Sequence, residues 1–193
     1  MSDGVGDDFE LLDRWRDGDN GAGDLLLRRH FAPLFRFFSN KAPEHADDLT
    51  QRTMLGCVEH RERFRGHSSF RTYLFVIARH QLYDYFRRKS RGTSAPDFSS
   101  LTLRALGTSP SSALARDERE EKLELALGDL PLEQQIALEL AYRYELSGPE
   151  IAEVLEVEAN TVRSRLARAR KTLRTSLGRM GVEIEDFSRP LPS

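Results

Sequence analysis

Residues 146–174 read LSGPEIAEVLEVEANTVRSRLARARKTLR and predict two short helices joined by a tight turn. Ser147 with Glu150 three residues later forms a capping box, which marks the start of the first helix. Residues 156–158 separate the two helices and are too few for anything but a turn between crossed helices. This pattern is typical of a helix-turn-helix, whose second helix reads DNA.

The second helix of this pair has one apolar side and one basic side. Its apolar positions recur at four, three and four residues and must pack on the first helix: Val162, Leu166, Ala169 and Leu173. The other side and its flanks present Asn160, Arg163, Ser164, Arg165, Ala167, Arg168, Arg170 and Lys171. Residues 160–179 contain seven Lys or Arg and no acid, which favours a polyanionic ligand. An ordinary solvated face is the alternative, but such a face normally mixes charges of both signs.

The overall charge of −2 conceals strong segregation within the 193 residues. Residues 1–24 carry eight acids against two arginines, and residues 117–158 carry thirteen acids against three bases. Residues 61–91, in contrast, carry nine bases and two acids. Two basic blocks therefore alternate with two acidic ones, and the basic blocks indicate nucleic acid as a partner.

Composition also excludes several classes of protein. The single cysteine, Cys57, excludes an intramolecular disulfide and a four-cysteine metal site, and its neighbours indicate a buried thiol. No apolar run is long enough to cross a membrane, and the acidic N-terminus lacks the features of a signal peptide. We therefore expect a cytoplasmic protein without membrane insertion, composed of one or two small helical domains.

Residues 64–91 combine aromatic and basic side chains, with a loop and helix cap predicted over 64–69 and a helix after it. Helical spacing assigns Phe70, Leu74, Ile77, Ala78, Leu82 and Tyr85 to the core. That leaves without an obvious buried role Arg71, Tyr73, Arg79, His80, Tyr83, Phe86 and Arg87. Cations that hold phosphates and rings that stack on bases suit unpaired nucleotides, so the stretch predicts a single-strand surface. The alternative, that most of these rings belong to the core, stays open for any single ring.

The remaining segments complete an all-helical plan. A short helix is predicted over 9–15, followed by a helix with Leu27, Phe31, Leu34, Phe35 and Phe38 as core, which Pro33 should kink or end. Another helix should begin at 46–48 and run to about Arg63, with a polar, non-basic face. Residues 90–116 have the composition of a linker. From Asp117 onward further helices should support the helix-turn-helix.

Taken together, these blocks resemble a sigma-70 family RNA polymerase sigma factor of the extracytoplasmic-function group. The match is carried by ADDLTQRTML at 46–55, FRGHSSFRTYLFVIARHQLYDYFRRKSR at 64–91, LGDLP at 127–131 and the stretch 146–174. The resemblance implies an all-α chain of two small helical domains joined by a flexible linker. Its expected parts are a sigma-2-like domain over 9–91, a linker over 92–116, a sigma-4-like helix-turn-helix domain over 117–179 and a loose tail over 180–193.

The resemblance further implies three groups of site residues. The core-binding set would dock on the clamp helices of the polymerase beta-prime subunit and contains Asp47, Asp48, Leu49 and Gln51. The minus-10 set would melt the minus-10 element and hold a flipped base, and contains Arg65, His67, Ser68, Ser69, Phe70, Arg71, Tyr73, Arg79, Tyr83 and Arg87. The minus-35 set would read the minus-35 element in the major groove and contains Asn160, Thr161, Arg163, Ser164, Arg165, Ala167, Arg168 and Lys171. Proteins of this group are often held by an anti-sigma factor, which makes one a candidate partner.

Some positions depart from the family pattern. His67 stands where an acid is common, and Gln135 where an arginine is common. Glu156 replaces the usual turn glycine, and Glu158 replaces the usual cap. These departures bear on individual sites and leave the blocks themselves intact.

Two other functions compete with a sigma factor. A conventional operator-binding helix-turn-helix regulator would bind duplex DNA only, and would have no use for exposed rings beside a basic groove. An enzyme such as a nuclease would need a catalytic constellation, yet the five histidines show no metal-ligand spacing and no Gly-rich phosphate loop precedes a helix. The sequence therefore favours a promoter-specificity subunit with no catalytic activity, no cofactor and no metal ion.

Overall fold

The computed structural model describes residues 7–64, 66, 68–90, 96–107 and 117–182, and their regular structure is helical. The helices are α1 Asp8–Arg16, α2 Asn20–Ser39, α3 Ala46–His60, α4 Phe70–Lys89, α5 Glu118–Gly128, α6 Leu132–Tyr142, α7 Gly148–Leu155 and α8 Ala159–Arg179. Short 3-10 turns at Pro43–His45 and Arg61–Arg63 flank α3. Across these described ranges the only β-type pairing is one bridge between Thr102 and Pro131, and no helix is long and apolar enough to cross a membrane. The all-α prediction is confirmed.

Side-chain caps explain where most of these helices begin. At the start of α1, α2, α4 and α5, an Asp or Ser oxygen accepts the N–H of the residue three positions on, and the capping residues are Asp7, Asp19, Ser69 and Asp117. The capping box predicted for α7 is present, with the Glu150 carboxylate 2.9 Å from the Ser147 backbone nitrogen. Local chemistry therefore fixes where α4 and α7 begin.

The sequence predicted that Pro33 would kink or end this helix, and α2 continues through it to Ser39. The proline leaves one backbone carbonyl without its helical donor, but the ring does not end the helix. The carbonyl of Pro33 itself accepts a bond from the Tyr144 hydroxyl at 3.0 Å. Phe31, expected in the core, is 45% exposed because it lines an open groove between α2 and α3.

The predicted linker is packed where it is described. In 96–107, the side chains of Phe98, Leu103 and Leu106 are buried. The carbonyls of Leu101 and Phe98 accept the N–H groups of Leu132 and Glu133, at 2.9 and 3.2 Å. Composition alone predicted a loose spacer across 92–116; this part of it is instead fixed to the start of α6.

The N-terminal and C-terminal helices meet in one continuous core. Helix α4 packs along α7, and α2 lies near the start of α5 and the end of α6. The contact between the two halves includes a fully buried ion pair, Lys41 with Glu139, at 2.5 Å. Arg36 pairs with Glu120 at the edge of the same contact.

Candidate nucleic-acid interface

Helix α8 presents the arrangement that its sequence predicts. The whole apolar stripe is buried: Val162, Leu166, Ala169 and Leu173. Most of the minus-35 set is exposed on the opposite side, namely Asn160, Arg163, Ser164, Ala167, Arg168 and Lys171, whereas Thr161 is half-buried. The helical period divides α8 into an apolar side and a basic side. Helices α6 and α7 cover the apolar side and leave the basic side to solvent.

Arg165 is the one basic member of the minus-35 set that is not on the open face. Its guanidinium lies 2.5 Å from the Glu133 carboxylate of α6, and both side chains are largely buried. The three cations of the set on the open face, Arg163, Arg168 and Lys171, form no ion pair within the described chain. Their charge therefore faces solvent, as a phosphate-binding surface requires.

The minus-10 set is divided by the contact between α4 and α7. Ser68 donates to the Glu153 carboxylate, and Ser69 donates to that of Glu150, each at 2.8 Å. Arg71 donates to the backbone carbonyl of Tyr144 at 2.9 Å. Residues just before and at the start of α4 are thus engaged by the C-terminal half of the same chain.

Three members of the predicted aromatic and basic surface are buried, and for these the expectation of an exposed side chain is wrong. Arg79 is 5% exposed, donates to the Leu155 carbonyl at 2.8 Å and pairs with Glu156. Tyr83 is 6% exposed, and the centre of its ring lies 4.2 Å from the centre of the Phe98 ring. Phe86 is fully buried. The cause is tertiary packing, because α7 and the segment 96–107 cover this side of α4.

The rest of the minus-10 set lies elsewhere. Phe70, assigned to the core by spacing, is buried, and Arg87 is exposed beside Asp84. Arg65 and His67 lie outside the described residues. Tyr73 is half-buried, and its hydroxyl donates to the His60 carbonyl at 3.3 Å. Its ring lines an open cleft of about 550 Å³ between α3 and α4, with Arg52, His60, Ile77, His80 and Arg88 on the walls.

The core-binding set lies on α3 and is also divided. Asp47, Asp48 and Gln51 are exposed, whereas Leu49 is 2% exposed and can support this face only by packing beneath it. The sequence assigned Leu55 to the apolar positions of this helix, with Leu49, Met54 and Val58, but Leu55 is 56% exposed. Leu55 follows Asp48 by seven residues and Gln51 by four, so it falls on the polar side of α3.

Hydrogen bonds stabilise the charged form of two acids in the α4–α7 contact. Burial alone would raise the pKa of Glu150, but bonds from Ser147, Ser69 and Thr72 bring that pKa below its usual value. Burial likewise acts against the bonds from Arg79 and His80 at Glu156, whose pKa is also lowered overall. Both acids are therefore ionised at neutral pH. Among the described residues, no group of three or more His, Cys, Asp or Glu is placed to hold a metal ion.

Comparison with known proteins gives a consistent result along the chain. A family model of sigma-70 region 2 matches residues 26–92, and one of sigma-70 region 4 matches residues 120–173. The RNA polymerase sigma factor YlaC of Bacillus subtilis is 32% identical over 156 residues, which cover 79% of this chain and 90% of that one. The extracytoplasmic-function sigma factor SigM of Mycobacterium tuberculosis is 31% identical over 181 residues, which cover 92% of this chain and 88% of that one.

Two solved structures are similar in fold. CnrH, in complex with the cytosolic domain of CnrY, superposes with a TM-score of 0.67 at 23% identity, covering 89% of this chain and 97% of that one. The sigma factor RpoE of Bartonella quintana, in complex with the anti-sigma factor NepR, superposes with a TM-score of 0.60 at 23% identity. The match covers 82% of this chain and 97% of that one. At this level of identity the likeness concerns the fold alone.

Proposed function

The chain belongs to the sigma-70 family of RNA polymerase sigma factors, in its extracytoplasmic-function group, and we propose that its two halves contact different promoter elements. Residues 9–91 would bind core polymerase and the minus-10 element, and residues 117–179 would bind the minus-35 element. The observation that carries this division is the exposed, acid-free basic face of α8, on the opposite half of the chain from the aromatic cleft at Tyr73.

In the minus-35 complex, α8 would enter the major groove with its open face towards the bases. Arg163, Ser164 and Ala167 lie on one side of the exposed N-terminal part of α8, which is the part of a recognition helix that contacts base edges. Arg163 can pair in bidentate fashion with a guanine, whereas Arg168 and Lys171 would neutralise phosphates. Arg165 stays with Glu133 and supports the helix from behind.

In the minus-10 complex, the cleft between α3 and α4 would receive unpaired bases. The Tyr73 ring offers a stacking face, and Arg52 and Arg88 on the cleft walls can hold the backbone. Capture of unstacked bases stabilises the open state of a duplex, whose opening costs a few kcal/mol per base. No chemical step is involved, so the proposed activity needs neither a catalytic residue nor a cofactor.

Core polymerase would bind the polar and apolar face of α3. Asp47, Asp48, Gln51 and Leu55 are all exposed on α3, and the groove between α2 and α3 adds the exposed ring of Phe31. An exposed apolar patch with a polar rim is typical of a protein-binding surface. Core polymerase and promoter DNA are cytoplasmic, and we place the protein there. An anti-sigma factor, of the kind bound to RpoE of Bartonella quintana, is a further candidate partner.

Reconstitution with core polymerase tests the proposal. Co-elution of the two and permanganate-reactive thymines on genomic promoter fragments are the expected results. Arg163→Lys keeps the charge but loses the bidentate geometry, so we expect weaker promoter discrimination with a similar salt dependence. Tyr73→Ala should reduce thymine reactivity while duplex binding persists, and Tyr73→Phe should retain it. Duplex binding that needs no polymerase and opens nothing would indicate a conventional helix-turn-helix regulator instead.

A further inference from the structure

Four exposed arginines of α8 form two pairs that repeat along the helix. Arg163 and Arg168 are the first pair, and Arg174 and Arg179 follow them by eleven residues each. Eleven residues are about three turns, so each member of the second pair lies within about 20° of its counterpart around the helix axis. The minus-35 set contains only the first pair, and the second pair has no role in the proposed function so far.

The two other arginines of α8 are held by neighbours within the C-terminal half. Arg165 pairs with Glu133 at 2.5 Å, and the Nε of Arg170 donates to the Tyr142 hydroxyl at 2.7 Å. The second pair, in contrast, forms no ion pair among the residues that the structure describes. Its charge is therefore available to a ligand.

Helix stabilisation accounts for only part of the second pair. A cation in the last turn of a helix offsets the negative end of the helix dipole, and Arg179 is the last residue of α8. Arg174 lies five residues before that end, whereas the effect of the dipole falls off within the last turn. The dipole therefore explains neither Arg174 nor its alignment with Arg163.

The C-terminal part of α8 is fixed to the helices around it. Leu173 and Leu177 are buried, and Ser176 donates to the Asp129 carboxylate at 2.7 Å. The N–H of Val182 bonds back to the Leu177 carbonyl at 3.0 Å and closes the helix end. The second pair therefore stays at a fixed distance from the first, about 16 Å along the axis at about 1.5 Å per residue.

This distance is larger than the groove that the first pair would enter. The major groove of DNA is about 12 Å wide, and a recognition helix contacts base edges with its N-terminal residues. A straight helix that holds Arg163 at the base edges therefore places the second pair beyond the groove, over the phosphates that border it. Contacts at that place position the protein without reading sequence.

The exposed face of α8 has free space at its far end. Gly178 follows Asn160 by eighteen residues, which are about five turns, so both lie on the same line of the helix. Gly178 is exposed, and a Cβ atom placed there would have no described neighbour within 4 Å. The described part of the chain therefore leaves room for a DNA backbone beside the second pair.

We propose that Arg174 and Arg179 form a second phosphate-binding site, for duplex DNA that flanks the minus-35 element. The ligand is the phosphodiester backbone, because cations aligned along a straight helix match a continuous polyanion. The site adds affinity for any sequence and leaves base discrimination to the N-terminal part of α8. This inference rests on the proposed placement of α8 in the major groove.

The salt dependence of duplex binding tests the proposal. The first probe is a fluorescein-labelled duplex that contains the minus-35 element of a promoter opened in the reconstitution, with about ten base pairs, one helical turn, on each side. The second probe ends at the element on both sides, and neither contains a minus-10 element. Each is titrated by anisotropy with the complex of the full-length chain and core polymerase, at several salt concentrations.

The loss variant Arg174→Gln/Arg179→Gln removes both charges and keeps residues that favour a helix. Each phosphate contact contributes about 0.9 to the slope of log K against log salt, so the slope on the flanked duplex should be shallower by about 1.8. Between about 50 and 200 mM salt, the affinity of the parent should therefore fall about tenfold more than that of the variant. On the trimmed duplex, parent and variant should have the same slope.

A gain variant keeps the test independent of folding defects. Gly178→Arg adds a cation to the exposed face and replaces a glycine within the helix, which favours helix formation. On the flanked duplex its slope should be steeper by about 0.9, and its uncharged control Gly178→Gln should match the parent. The matched control for the loss variant, Arg104→Gln/Arg119→Gln, removes the same charge from exposed positions outside α8 and should also match the parent.

Three results would overturn the proposal: an unchanged slope in the loss variant, an equal change on the trimmed duplex, or an equal change in Arg104→Gln/Arg119→Gln. A flanked duplex with a scrambled element separates this inference from the proposed function. Arg163→Lys should reduce the preference for the intact element, whereas the loss variant should keep it. A parent without that preference contradicts the proposed function, and the slope of the loss variant still decides whether the second pair binds flanking phosphates.

Discussion

The buried ion pair between Lys41 and Glu139 should make the contact between the two halves sensitive to a single substitution. The Lys41 side chain is fully buried, with its ammonium 2.5 Å from Glu139, 3.0 Å from the Phe37 carbonyl and 4.0 Å from the centre of the Phe37 ring. Burial lowers the pKa of Lys41, and the Glu139 carboxylate opposes that shift. We consider the substitution Lys41→Met, which keeps the apolar stem and removes the charge.

The expected loss follows from what Lys41→Met leaves behind. The Glu139 carboxylate is 3% exposed and would retain the Gln135 amide at 3.0 Å as its side-chain donor. Loss of one partner of a buried ion pair destabilises a protein by about 3–5 kcal/mol. Arg143 also attracts Glu139, so we expect the lower end of that range here. The double variant Lys41→Met/Glu139→Gln contains no buried charge at this position and keeps an oxygen for Gln135. We expect its free energy of unfolding to lie within about 1 kcal/mol of the parent.

Urea unfolding followed by far-ultraviolet circular dichroism measures these differences. Parent, both single variants and the double variant form a cycle whose coupling energy isolates the pair. The expected coupling is about 3 kcal/mol, with the double variant more stable than either single one. A Lys41→Met variant that loses less than about 1 kcal/mol would contradict the reasoning. A double variant as unstable as the sum of the two single changes would contradict it equally.

Two further predictions concern the N-terminal half. Leu55→Glu should weaken binding to core polymerase by at least about tenfold in an anisotropy titration, because it puts a charge in an apolar contact. The control Leu55→Met should bind as tightly as the parent. The melting temperature of both variants should equal that of the parent, because Leu55 is 56% exposed. Burial lowers the pKa of His30 from its usual 6.5, with Asp8 opposing, so as the pH falls the unfolded chain binds this proton before the folded chain does. As the pH falls below about 6.5, the free energy of unfolding should decrease in the parent and decrease less in His30→Leu. Urea titrations at several pH values measure this, and an equal decrease in both proteins would contradict the assignment.

Local chemistry predicted the helices whose signals lie within a few residues. The Ser69 cap, the Ser147–Glu150 box and the four-residue spacing of the α8 stripe each concern atoms separated by one or two helical turns. For the same reason the open face of α8 follows directly from its sequence. Helical period divides a helix into two sides, and a stripe of apolar residues decides which side is buried.

The covered side of α4 could not be predicted in this way. Spacing along α4 leaves Arg79, Tyr83 and Phe86 outside its apolar stripe, yet α7 and the segment 96–107 bury all three. These elements are distant in sequence, and no periodicity within α4 contains information on them. The packed segment 96–107 escaped prediction for a related reason, because three buried side chains, Phe98, Leu103 and Leu106, outweigh a composition otherwise typical of a linker.

Arg79 and Arg165 both belong to predicted DNA-binding sets, and the structure restrains both of them. Arg165 is held by Glu133 of α6, within the C-terminal half. Arg79 is held by Glu156 and the Leu155 carbonyl, across the contact between the two halves. Each partner is distant in sequence from the arginine that it holds, so helical spacing within α4 or α8 contains no information on either pair. Arg165 therefore supports α8 from behind, and Arg79 holds α4 against α7.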